Sequence, residues 1–126
     1  MHYLFIGIGG FIGAILRYWI GGMVQPVSPH AAFPLGTLVV NILGCFAIGA
    51  VAGVIEARGV LHPHARVFFT VGLLGGFTTF SAFASEAVNG FRDGVPVLAI
   101  ANVLLSVGLG LLAVWAGRAA VASALR

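Results

Sequence analysis

The sequence predicts an all-α integral membrane protein with four transmembrane helices. Of its 126 residues, 60% are hydrophobic and only 7% are Asp, Glu, Lys or Arg, whereas a soluble domain carries roughly 25% charged residues. Short runs rich in Pro, Gly and polar residues separate four apolar segments of about 22 residues, each long enough to span a bilayer. We expect one domain with helices at about residues 3–24, 35–57, 67–88 and 95–116.

The first two segments each combine small residues with one conspicuous polar group. In the first, Gly9 and Gly13 have the spacing that lets two membrane helices approach closely. Arg17 either snorkels to the interface or attracts anions in a vestibule. In the second, Thr37 and Asn41 share a helix face. Because an amide in lipid must find partners, Asn41 makes an interhelical hydrogen bond or donates to an anion.

The third segment contains a run of poor helix formers at its middle. Gly75-Gly76 is followed closely by Thr78-Thr79, and both residue types disfavour helix. We therefore predict that the third helix is broken at its midpoint. Unwound backbone at membrane depth must be buried in protein or line a wet cavity. Such a break is expected to be a binding site, and its freed carbonyls favour a cation.

Aromatic and hydroxyl side chains adjoin the predicted break. Phe77, Phe80 and Phe83 would share a face if the chain is helical beyond Thr79. Simple packing is the plain interpretation of such a stripe, but the hydroxyls of Thr79 and Ser81 lie beside it. In the fourth segment, Asn102 and Ser106 form a thin polar stripe four residues apart.

The polar inventory argues against an enzyme and against a nucleic-acid partner. The chain has three acidic residues, none central in a segment, and no lysine or basic cluster. Glu86 is expected at the membrane interface. His62 and His64 are expected to be solvated rather than metal ligands, because no carboxylate or cysteine accompanies them. Neutral lining groups suit passive permeation better than proton coupling. Four short helices are too few to enclose a pathway, so we expect an oligomer packed through glycine faces.

The charge pattern gives a weak orientation signal. Four spans place both termini on one side, which the positive-inside rule makes cytoplasmic. The opposite side holds Arg92, together with Arg17 if that residue snorkels to the interface there. The side of the termini holds four arginines: Arg58, Arg66, Arg118 and Arg126. So small an imbalance is compatible with insertion in both orientations.

Three motifs resemble the Fluc (CrcB) family of fluoride channels. They are the glycine-rich run Gly9–Tyr18, the run Phe33–Gly44, and the run Gly72–Phe83 with its Gly-Gly-Phe-Thr-Thr-Phe-Ser core. The resemblance covers three of the four segments in the family's order. It implies a multi-pass protein of the cell (inner) membrane that forms an antiparallel, dual-topology homodimer with two narrow pores. It also implies a structural, non-transported Na⁺ at the dimer centre, held by backbone carbonyls of Gly75 and Thr78.

The resemblance further implies a fluoride pathway that carries fluoride out of the cytoplasm and reduces its toxicity. The family's pore phenylalanines match Phe80 and Phe83, and its vestibule arginine matches Arg17. The matching polar groups are Asn41, Thr37, Asn102 and Ser106, with the hydroxyls of Thr79 and Ser81 beside them. Gly110 stands where another hydroxyl is expected, so this chain departs from the family's track there.

Two other functions fit a four-helix membrane protein of this size. A small dual-topology multidrug exporter would need a membrane-embedded carboxylate to couple protons, and Glu56 and Glu86 lie near segment ends. A scaffold without transport would use every glycine and phenylalanine for packing. A Na⁺ at the break would distinguish the channel from the scaffold.

Overall fold

The computed structural model describes residues 1–126, and every regular element is helical. Helix α1 (His2–Val24) leads through a 3-10 turn (Gln25–Val27) to α2 (Leu35–Arg58). The third span comprises α3 (Pro63–Val67), a π-helical segment (Phe68–Leu73), α4 (Leu74–Phe77) and α5 (Phe80–Arg92). Helix α6 (Pro96–Ala124) forms the fourth. Four stretches are long and apolar enough to cross a membrane, so the prediction of an all-α chain with four spans is confirmed.

Local signals in the sequence set the helix ends. Gly59 ends α2 in the left-handed conformation at φ +72°, which glycine adopts without steric cost. Pro63 and Pro96 begin α3 and α6, where a missing N–H costs nothing. The His62 Nδ1 accepts from the His64 N–H at 3.3 Å and caps α3. One of the two loop histidines thus has a structural task.

Helix α1 packs against the third span through glycine. A methyl group on Gly9 would lie 2.7 Å from the Phe68 carbonyl oxygen, and one on Gly13 would overlap the Leu73 carbonyl oxygen. Only glycine permits so close an approach of two backbones. The close contact predicted from the Gly9 and Gly13 spacing is therefore present, and it lies within one chain rather than between two.

Helices α2 and α6 form a second close pair. A methyl group on Gly49 would overlap the Val114 carbonyl oxygen, and one on Gly53 would lie 3.1 Å from the Val121 Cβ. Residue numbers rise together along both helices, so the two run in the same direction. Gly49 and Gly53 therefore pack against α6 inside the chain. An added methyl group would meet nothing within 4 Å at three other helical glycines: Gly7, Gly22 and Gly108.

The outer surface is apolar. Many large hydrophobic side chains are exposed along all four spans, as suits a surface that faces lipid rather than water; they include Phe11, Ile15, Leu104, Leu111, Leu112 and Trp115.

Candidate functional site

Two threonines of the third span leave the helical conformation. Thr78 has φ −86° and ψ 155°, and Thr79 has φ −147° and ψ 114°, so both are extended between α4 and α5. Gly75 and Gly76 remain in α4. The extended pair is therefore β-branched, which suits extended backbone. Gly76 serves close packing instead, since a methyl group there would lie 2.6 Å from the Gly10 carbonyl oxygen.

The side chain of Asn41 holds this extended pair from the neighbouring helix α2. Its Nδ2 donates to the Thr79 carbonyl oxygen at 3.0 Å, and its Oδ1 accepts from the Thr79 N–H at 2.8 Å. One amide thus pairs with both backbone groups of one residue. Of the two roles considered for Asn41, the interhelical hydrogen bond is present, and an amide nitrogen carries a second hydrogen for another acceptor.

Two carbonyls beside the extended pair lose the partner that a continuous helix would give them. In an α-helix the carbonyl of residue i accepts from the N–H of residue i+4, so Thr79 would pair with Gly75 and Ala82 with Thr78. The Thr79 N–H donates to Asn41 instead, and the Ala82 N–H donates to the Thr79 Oγ1 at 3.2 Å. The carbonyl oxygens of Gly75 and Thr78 are left open.

Arg17 takes up a further backbone group of the same region. Its Nε donates to the Gly76 carbonyl oxygen at 3.1 Å, a charge-assisted bond between α1 and α4. Arg17 also lines a cavity of about 500 Å³ together with Thr37 and Thr79. The Arg17 guanidinium is therefore hydrogen-bonded inside the bundle. Neither of the two roles expected for Arg17, snorkelling to the interface or attracting anions in a vestibule, includes this contact.

An open groove of about 380 Å³ brings most of the predicted site residues together. Its lining joins α2, the third span and α6, and it contains no charged side chain. Thr79 borders both this groove and the cavity beside Arg17. The predicted residues in the lining are Asn41, Gly75, Thr78, Thr79, Phe80, Phe83 and Ser106, whereas Thr37, Ser81 and Asn102 are outside it.

The phenylalanine stripe is divided by the extended threonines. The rings of Phe80 and Phe83 lie 5.6 Å apart at 52° and both line the groove. Phe80 is 78% exposed, whereas Phe77 is only 8% exposed. A shared face required unbroken helical periodicity, and the extended backbone after Phe77 removes it. The expectation that all three rings share a face is therefore wrong.

The polar stripe of α6 is partly buried in the bundle. The Ser106 hydroxyl donates to the Asn102 Oδ1 at 3.1 Å. Asn102 is 2% exposed, and its Nδ2 has no hydrogen-bond partner. At Gly110, an added Cβ would lie 3.5 Å from the Cys45 Sγ, and Cys45 lines the groove. A thiol from α2 thus borders the space where a fourth-segment hydroxyl was expected, a neighbour that only the pairing of α2 with α6 reveals.

Sequence reasoning also missed a carboxylate inside the bundle. The Thr37 hydroxyl donates to the Glu86 Oε1 at 2.7 Å, and the Glu86 Oε2 is buried without a partner. Glu86 was expected at the membrane interface, and the structure places it half-buried between α2 and α5. The two residues are 49 positions apart, so no spacing rule could have joined them. The Ser81 hydroxyl is more peripheral, 3.4 Å from the Thr79 Oγ1 and exposed.

Comparison with known proteins identifies relatives that match nearly the whole chain. Residues 4–118 match the family model described as CrcB-like protein, Camphor Resistance (CrcB). A protein of Solibacter usitatus named fluoride-specific ion channel FluC is 45% identical over 93% of this chain and 95% of its own length. A protein of the same name from Rhizobium meliloti is 45% identical over 94% of each chain. Fluoride-specific ion channel FluC 1 of Methanosarcina acetivorans is 43% identical over 91% of this chain and 86% of its own.

The family's relatives are named as channels, not as enzymes, and the four apolar spans agree with a protein that crosses the membrane several times. The match covers nearly the whole chain, including α1, α2, the third span and most of α6. The chain is a multi-pass membrane protein that belongs to the CrcB family.

Proposed function

We propose that this chain is a fluoride-selective passive channel that lets fluoride leave the cytoplasm and so reduces its toxicity. The observation that carries the proposal is the uncharged groove, in which two phenylalanine rings stand beside amide and hydroxyl groups. The relatives named as fluoride-specific ion channels support it. The groove supplies weak neutral contacts for an anion.

The groups in the groove can bind a small anion weakly, as conduction requires. Aromatic ring edges carry the positive side of the quadrupole, so Phe80 and Phe83 can face an anion without a full charge. The Thr79 hydroxyl accepts from the Ala82 N–H, which leaves its own hydrogen to donate. Asn41 has a second amide hydrogen. Several weak sites let an ion both enter and leave.

The two open carbonyls fit a structural Na⁺. Hard cations prefer oxygen ligands, and unwound membrane backbone is a known way to supply them to Na⁺. Gly75 and Thr78 offer carbonyl oxygens whose helical donors bond elsewhere. We propose that these two residues hold the ion and that a second copy of the chain completes its shell. When bound, Na⁺ would supply a fixed positive charge that favours anions nearby.

We propose that the working unit is an antiparallel homodimer. One chain leaves Phe80 78% exposed and the groove open to one side, so a single copy cannot enclose a pathway. A two-fold partner would cover the same face on both chains. Insertion in both orientations would give the antiparallel arrangement, and the weak arginine bias permits it.

One observation bears on the multidrug exporter. Glu86 is a carboxylate inside the bundle, hydrogen-bonded to Thr37, and proton-coupled transport needs such a group. It lies outside the groove, whose lining is neutral. We therefore keep the exporter as a second candidate, and drug-driven proton release from liposomes is the measurement that would favour it. A scaffold would show neither that release nor fluoride flux.

Fluoride efflux from proteoliposomes, followed with an ion-selective electrode, tests the channel. We expect fluoride flux without matching chloride flux. Phe80→Ile removes a ring edge and should lower fluoride flux by about tenfold, equivalent to roughly 1.4 kcal/mol in the barrier. Asn41→Asp should also lower it, because a carboxylate in the groove repels the anion.

Phe91→Ile is the matched control. Phe91 lies on the same helix as Phe80 and is exposed, but it does not line the groove, so its variant should conduct like the unmodified chain. Equal chloride and fluoride fluxes, or no flux from well-folded protein, would refute the proposed function.

A further inference from the structure

We propose that Asn41 is a positioning residue that keeps the Gly75 carbonyl open for Na⁺ by holding the Thr79 N–H. This inference rests on the Na⁺ site proposed above and assigns to Asn41 a task separate from contact with fluoride. It follows from the two hydrogen bonds between Asn41 and Thr79, at 2.8 and 3.0 Å.

The Thr79 N–H has two possible acceptors. It lies four residues after Gly75, which is the spacing of an α-helical hydrogen bond. The Thr79 N–H is part-buried inside the bundle, and at membrane depth an unpaired backbone N–H is costly. If the Asn41 Oδ1 were absent, the remaining acceptor would be the Gly75 carbonyl, and the helix would close over that oxygen. The Asn41 Oδ1 and the Gly75 carbonyl oxygen are therefore alternative acceptors for the Thr79 N–H. When the Asn41 Oδ1 accepts it, the Gly75 carbonyl oxygen stays available to Na⁺.

The amide is suited to this task because it satisfies both groups of Thr79. The Oδ1 accepts from the N–H while the Nδ2 donates to the carbonyl, so the extended residue leaves neither group unpaired. Helix α2 is also held close by Gly44, three residues further along, where an added methyl group would overlap the Thr78 Cγ2. The hydrogen bonds and the gap at Gly44 lie on one face of α2 and together set its distance from the extended pair.

Two other backbone groups beside the extended pair have hydrogen-bond partners that do not involve Asn41. The Ala82 N–H is held by the Thr79 hydroxyl within α5, and the Gly76 carbonyl is held by Arg17 from α1. Loss of Asn41 should therefore act on the Gly75 carbonyl first. If the closed helix then dominated the population, the apparent Na⁺ affinity would fall in proportion to the remaining open fraction.

The test is Na⁺-dependent thermal stability of the purified protein. Na⁺ is titrated against an organic cation at constant ionic strength, and unfolding is followed by tryptophan fluorescence. We expect Asn41→Leu, which is close in size but has no polar group, to raise the Na⁺ concentration for half-maximal stabilisation by about tenfold. Asn102→Leu is the control, because it removes the other buried amide of the bundle and should leave that concentration unchanged.

Asn41→Asp separates this task from fluoride passage and serves if Asn41→Leu does not fold. Its carboxylate still accepts from the Thr79 N–H but no longer donates to the Thr79 carbonyl. Because the inference depends on the N–H, we expect this variant to need no more Na⁺ than the unmodified chain, although its fluoride flux falls. If the unmodified chain is stabilised by Na⁺ and Asn41→Leu responds at the same concentration, the positioning role is overturned and the Na⁺ site stands. If Asn41→Asp loses its Na⁺ response, the positioning role is likewise overturned. If the unmodified chain does not respond to Na⁺, both the site and the inference are overturned.

Discussion

The N–H, the carbonyl and the hydroxyl of Thr79 all take part in hydrogen bonds. Its N–H and carbonyl pair with Asn41, and its hydroxyl caps α5 by accepting from the Ala82 N–H. The same hydroxyl lies 3.4 Å from the Ser81 hydroxyl. This one residue restarts the helix after the extended pair and borders both the groove and the cavity beside Arg17.

Removing the Thr79 cap should destabilise the fold by a measurable amount. Thr79→Val keeps the shape and the β-branch but loses the acceptor for the first turn of α5, so we expect the free energy of unfolding to fall by about 1 kcal/mol. Thr79→Ser keeps the cap and should stay near the unmodified value. Denaturing-detergent titration of the purified protein measures both. A loss in Thr79→Ser with none in Thr79→Val would show that the methyl group, rather than the cap, matters.

At the scale of helices, glycine decides which elements meet. Helix α1 approaches the third span at Gly9 and Gly13, and α2 approaches α6 at Gly49 and Gly53. Without a hydrophobic driving force between helices in lipid, this close packing is a main source of association. These contacts hold the third span against α1 just before the extended threonines, so they position the groove as well as the bundle.

Adding one methyl group at each of two positions on α1 should change the free energy of unfolding by different amounts. Gly13→Ala places a methyl group into the Leu73 carbonyl oxygen, so we expect a loss of about 1–3 kcal/mol in the free energy of unfolding. Gly7→Ala, six residues earlier on the same helix, meets nothing within 4 Å and should be neutral or slightly stabilising, because alanine favours helix. The same detergent titration compares them. Similar losses in both variants would show that α1 does not pack as described.

At the scale of the whole molecule, one chain forms a helical bundle whose groove is open on one face. The groove is open and Phe80 is largely exposed, although several glycines already pack helices together inside the chain. On the side that carries the termini, Arg118 is paired with Glu56. The remaining arginines orient the chain only weakly, which supports the antiparallel dimer proposed above.

A labelling experiment tests that orientation. In a background with Cys45→Ser, Asp93→Cys places a thiol in the turn between α5 and α6. If the chain inserts both ways, a membrane-impermeant reagent should label about half of the molecules in sealed cells, and the rest only after permeabilisation. Labelling of all molecules, or of none, before permeabilisation would mean a single orientation and would rule out an antiparallel dimer.

The sequence by itself determined the membrane class and the four spans, because hydropathy and helix length are local properties. It predicted a break over Gly75-Gly76 and Thr78-Thr79, whereas only the two threonines are extended. It also singled out seven of the residues that line the groove, through short motifs. Only the tertiary structure decided that Asn41 pairs with Thr79, that Arg17 holds Gly76, and that Thr37 reaches Glu86. Each of these bonds joins residues far apart in the chain, and their partners are set by glycine contacts between helices, which no local pattern encodes.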